Sequence, residues 1–144
     1  FLHELHQQTG MVVHLTVLDG PDVVDLDKVG DPVAALGIAL GAFAAHGLRA
    51  VLDQAALAWW QTAVQYQMWH AIGLIALGAA RLPRTLLPAL LLATGTVIFA
   101  STLYAMALGG PRWLGAITPI GGSLMIAGWL VLAWRVLRSP SRAV

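Results

Sequence analysis

The sequence predicts an all-α membrane protein of four transmembrane helices, preceded by a short α/β segment made of one helix and a β-hairpin. Three observations lead there. Hydrophobic residues make up 58% of the 144 positions and charged residues only 10%, where soluble domains carry about a quarter charged. Beyond residue 32, apolar runs recur four times between short turns. The stretch Trp59–Ala71 crowds aromatics, amides and His70 into the head of a segment that then runs apolar to Ala80. In water such a helix would bury nothing well. In a bilayer it reads as an interface belt followed by a polar seam facing other helices.

Charge divides the chain in two. Residues 1–32 hold six carboxylates against Lys28, whereas residues 33–144 hold seven arginines against Asp53 alone. Such asymmetry separates an acidic helix-hairpin segment, residues 1–32, from a four-helix membrane domain, residues 33–144. The absence of cysteine excludes disulfides, thiolate metal sites and cysteine nucleophiles. The acidic segment has no apolar run with basic flanks and is not a signal peptide.

In order along the chain, Leu2 and Leu5 fall at helical spacing within residues 1–9, and Gly10 stops that turn. Met11–Leu18 alternates in part, Asp19-Gly20-Pro21-Asp22 is a turn, and Val23–Val29 is a second β-type run. Gly30-Asp31-Pro32 predicts a break. Val33–Ala45 then forms the first membrane helix, with Gly37, Gly41 and Ala45 as a small-residue stripe for close helix packing. At 1.5 Å per residue this run spans only ~20 Å of a core ~30 Å thick, so the first helix reads as truncated. His46-Gly47 ends it, and Asp53 is placed to cap a second helix over Gln54–Ala80. Arg81-Leu82-Pro83-Arg84 is a basic turn, Leu86–Leu108 a third helix and Gly109-Gly110-Pro111-Arg112 a tight loop. Leu114–Leu137 is a fourth helix, and Ser139–Val144 a polar tail.

Loop charges orient this model. Lys28, Arg81, Arg84, Arg135, Arg138 and Arg142 fall on one side, and Arg49 and Arg112 on the other. The positive-inside rule then puts both termini in the cytoplasm. Trp59, Trp60 and Trp113 gather at the outer interface and Trp134 near the inner one.

Two resemblances sharpen the reading. Leu5-His6-Gln7-Gln8-Thr9-Gly10, Val13–Gly20 and Val23–Val29 resemble the opening of the effector-binding domain of IclR-type transcriptional regulators. Asp25 stands where that pattern has an aromatic, and the winged helix and the rest of the effector pocket are missing. Residues 33–144 resemble the YgdD-like family of small bacterial inner-membrane proteins, which carry a domain of unknown function. The likeness rests on Ala45-His46-Gly47-Leu48, Gln61–Ala71, Ser101-Thr102-Leu103-Tyr104, Leu114–Gly122 and Ala127-Gly128-Trp129, in order and spacing. It implies four transmembrane helices and a bacterial inner-membrane location. It implies no reaction.

Candidate chemistry is sparse. His46 ends the first helix, whereas His70 lies ~15 Å deeper along the second, and no Asp, Glu or Cys accompanies them, so no metal site is predicted. His70 reads as a neutral core histidine, although an ionisable group at that depth invites a functional reading. Gln61, Gln65, Tyr66, Ser101, Tyr104 and Thr118 share the outer half of the bundle and, with His70, form the candidate ligand-binding cluster. The competing reading is interhelical hydrogen bonding, worth ~0.6 kcal/mol per contact. It is preferred because no charge accompanies the cluster. Pro119 predicts a kink, and Gly121 and Gly122 close packing beside it. Glycine-rich phosphate loops, nucleophile elbows and His-Glu-x-x-His are absent, and arginines spread over both faces do not form a nucleic-acid stripe.

The expected function is therefore an integral inner-membrane protein, not an enzyme, with a structural or assembly role and no cofactor. Its partner is the lipid bilayer, with a second copy or another membrane protein left open. The alternatives are a small-solute or proton-coupled carrier using the outer polar cluster, and a remnant of an IclR-type regulator.

Overall fold

A computed structural model describes residues 17–19, 22–24, 26–80 and 84–138. Two three-residue segments, β1 (Val17–Asp19) and β2 (Asp22–Val24), pair antiparallel with Leu18 opposite Val23. The longer hairpin expected over Met11–Val29 is not supported, because the chain is already helical at Leu26. The helix expected over residues 1–9, the β-run before Val17, residues 81–83 of the basic turn and the tail after Arg138 lie outside the described residues.

Four α-helices follow among the described residues: α1 (Leu26–Phe43), α2 (Gln54–Ala80), α3 (Leu86–Ala107) and α4 (Leu114–Arg138). The last three match the expected segments to within one residue. The first does not. α1 runs straight through Gly30-Asp31-Pro32, where a break was expected, and starts well before Val33. Pro32 removes one amide from the helical ladder, yet neither it nor Gly30 stops the helix. The other end also differs, because Ala44–Leu48 winds as a π-helical turn rather than a terminus. Ala45 falls in that turn and is exposed, so the small-residue stripe facing α2 consists of Gly37 and Gly41. A methyl on Gly37 would come within 2.6 Å of Met68 Sδ, and one on Gly41 within 3.3 Å of Val64.

The helix ends follow their capping chemistry. The Asp53 carboxylate accepts the Ala56 amide at 2.7 Å and opens α2. At the end of α3, Gly109 takes φ +87°. This reversal lets the Gly110 and Gly109 amides reach the carbonyls of Ala105 and Met106, the six-to-one and five-to-two bonds of a Schellman stop. Pro119 is accommodated inside α4.

Packing runs in sequence, α1 on α2, α2 on α3 and α3 on α4. Leu74 of α2, Leu92 of α3, and Met125 and Leu132 of α4 form the largest core cluster. α3 and α4 cross at Gly95 and Gly121, where a methyl on Gly121 would stand 2.6 Å from the Phe99 backbone nitrogen and 2.7 Å from the Gly95 carbonyl. A methyl on Gly122 meets nothing closer than 4.0 Å. The exterior is apolar instead of charged: Ile38, Ile72, Val97, Ile126 and Leu130 are each more than half exposed. A surface of that kind needs lipid.

Among the described residues, three stretches are long and apolar enough to cross a membrane: Asp31–Leu48, Leu86–Ala107 and Leu114–Arg138. Of the four spans expected, α2 is the one that falls short on composition. α2 has the length, but its amides and His70 lower its hydropathy below that of its neighbours.

Candidate functional site

The polar groups of α2 sort by helical phase. Ala56, Trp60, Ala63, Gln67, His70, Ala71, Leu74 and Leu77 form its buried stripe, whereas Gln61 and Gln65 are exposed. The deepest amide is therefore Gln67, which the sequence reading placed in the motif and left out of the site.

Gln67 is 4% exposed and joins three helices. Its Oε1 accepts from the Tyr104 hydroxyl of α3 at 2.9 Å, and its Nε2 donates to the Val33 carbonyl of α1 at 2.7 Å. Beside it a cavity of about 300 Å³ opens between α1 and α3, walled mainly by Leu36, Leu40, Val97 and Ala100. Ser101 borders it and is exposed, its hydroxyl turned back to the Ile98 carbonyl at 3.3 Å.

His70 forms a second centre. The indole N–H of Trp129 on α4 donates to Nε2 at 3.3 Å, and Nδ1 lies 2.8 Å from the Tyr66 carbonyl. A ring nitrogen that accepts carries no hydrogen, so the proton resides on Nδ1 and both partners are satisfied by the neutral ring. Tyr66 stacks on that imidazole at 12° between planes and packs on Phe99. Among the described residues, no group of three His, Cys, Asp or Glu side chains gathers as a metal site.

Thr118 belongs to a third centre. Its hydroxyl pairs with that of Thr102 at 2.9 Å, and each threonine also reaches a carbonyl of its own helix. Thr102 was not anticipated either. The seven candidate residues thus do not meet in one pocket: Tyr104 joins Gln67, His70 joins Trp129 with Tyr66 stacked on its ring, Thr118 joins Thr102, and Gln61, Gln65 and Ser101 are exposed.

Trp60 also changes role. Expected as an interface anchor, it is 3% exposed, donates its indole N–H to the Leu40 carbonyl at 3.0 Å and packs on Tyr104 with ring centres 4.6 Å apart. Trp59 and Trp113 remain on the outside.

Comparison with known proteins places this architecture. Residues 40–122 match a family described as a protein of unknown function, DUF423. A membrane protein of Staphylococcus haemolyticus, named as UPF0382, is 45% identical over 100 residues, covering 67% of this chain and 82% of that one. A UPF0382 membrane protein of Haemophilus influenzae is 39% identical over 107 residues, covering 72% and 86%. The inner membrane protein YgdD of Escherichia coli is 33% identical over 111 residues, covering 74% and 85%. No solved structure matches. The family match begins at residue 40, so the likeness of residues 1–32 to IclR-type regulators gains nothing from it. The chain belongs to the DUF423 family, the UPF0382 membrane proteins of unknown function.

Proposed function

We propose that the chain is a non-catalytic inner-membrane protein with a structural or assembly role, whose working unit is the bundle of α1 to α4. The observation carrying this reading is the closure of its polar interior. Tyr104 and Gln67, Thr102 and Thr118, and His70 and Trp129 bond to one another across helices. Groups committed in this way hold a bundle together and are not poised for a solute.

All four helices cross the bilayer in this reading. Of the groups that keep α2 from an apolar composition, Gln67 and His70 are buried against neighbouring helices, whereas Gln61 and Gln65 are exposed toward its outer end. Counted by loop, the basic residues favour both termini in the cytoplasm.

A carrier is the second reading, favoured by the 300 Å³ cavity beside Tyr104 and Ser101. Its walls are aliphatic, and the Tyr104 hydroxyl beside it is already engaged by Gln67. Proteoliposomes decide between the two. The structural role predicts solute and proton flux equal to that of protein-free vesicles. Specific flux that disappears in His70→Ala and Tyr104→Phe would overturn it.

A further inference from the structure

Away from the buried polar pairs, a groove of about 240 Å³ runs between the end of α1 and the head of α2, lined by Gly41, Ala44, Ala45, Arg49, Gln61 and Gln65. Arg49, Gln61 and Gln65 make no hydrogen bond or ion pair among the described residues. Arg49 directly follows the π-helical turn, an irregularity that often marks functional positions. The two amides sit ~10 and ~16 Å along α2 from Gln54, which, in the proposed four-span reading on which this inference rests, puts Gln65 below the headgroup level of a bilayer whose core is ~30 Å thick. An uncovered amide there requires a polar partner.

From this arrangement we infer that the groove is a phospholipid site. Arg49 takes the phosphodiester, Gln61 and Gln65 donate to the glycerol ester oxygens beneath it, and the small-residue floor admits an acyl chain. Cation, then amides, then apolar floor is the order of a phospholipid read from its phosphate inward. A guanidinium suits the phosphate because its fork donates two parallel hydrogen bonds. Charge argues against residues 33–144 of a second copy as occupant. Asp53 is the one acidic residue in 33–144, and it is committed to the cap of α2.

The test uses the full chain, delipidated in a neutral detergent, titrated with phosphatidylglycerol and followed by native mass spectrometry. One lipid should be retained per chain. Arg49→Gln should weaken retention about tenfold, the loss of one charge-assisted contact, and Gln65→Leu about threefold. Arg112→Gln, a basic residue of the α3–α4 loop, should leave it unchanged, and equimolar inorganic phosphate should not displace the lipid. Retention unaffected by Arg49→Gln, or weakened equally by Arg112→Gln, would overturn the proposal. Displacement by phosphate would likewise overturn it, identifying a soluble anion as the ligand. Should Arg49→Gln fail to fold, Gln65→Leu on the exposed face of α2 carries the test, and unchanged retention there refutes it.

Discussion

Tyr104 of α3 donates its hydroxyl to the Gln67 side chain of α2 at 2.9 Å, and the same amide holds the Val33 carbonyl of α1. One side chain, 4% exposed, thereby ties three helices together. Removing the hydroxyl leaves the Gln67 oxygen without that partner. Tyr104→Phe is expected to lower stability by ~1 kcal/mol, and a cycle with Gln67→Leu to give a coupling between ~0.6 and ~1.7 kcal/mol. Reversible unfolding in mixed micelles measures both. Additive losses would show that the contact carries no energy.

Gly121 and Gly122 are adjacent in sequence and unlike in consequence. A methyl on Gly121 enters the backbone of α3 at Phe99 and Gly95, atoms that cannot swing aside, whereas Gly122 has room. Gly121→Ala should cost ~1–3 kcal/mol through overpacking. Gly122→Ala should be neutral or slightly stabilising, since alanine favours helix by up to ~1 kcal/mol. Equal thermal shifts in the two variants would contradict the α3–α4 crossing.

Trp59 and Trp60 differ in the same way. Trp60→Ala opens a void against Phe43 and Tyr104 and frees the Leu40 carbonyl, for an expected loss of ~3–5 kcal/mol. Trp59→Ala, at the exterior, should cost under ~1 kcal/mol, within the range of surface changes. Chemical oxidation of the indoles should also reach Trp59 well before Trp60.

These pairs show what the sequence made legible. The helices over 54–80, 86–107 and 114–138 could be read from apolar length bounded by Asp53, Gly109 and the basic turn, because those caps act locally. Gly30-Asp31-Pro32 misled, since breaker residues act locally too and the helix runs through them all the same. Depth along the helices groups Gln61, Gln65 and Tyr104 but ignores which way each points. Helical phase was the missing signal. Gln67 lies four residues after Ala63 and seven after Trp60, in step with the stripe that ends in Leu74 and Leu77. The pairing of Tyr104 with Gln67, or of Thr118 with Thr102, depends on how helices distant in sequence come together, and no local pattern encodes that.

In the proposed reading α2, despite its amides and histidine, crosses the membrane as the fourth span. The chain contains no cysteine, so single replacements give an unambiguous label. Val51→Cys lies in the turn between α1 and α2, and Arg84→Cys in the turn between α2 and α3; both positions are exposed. In intact cells and in inverted membrane vesicles, a membrane-impermeant maleimide should reach Val51→Cys only from the periplasmic side and Arg84→Cys only from the cytoplasmic side. Labelling of both positions from the same side would contradict the account.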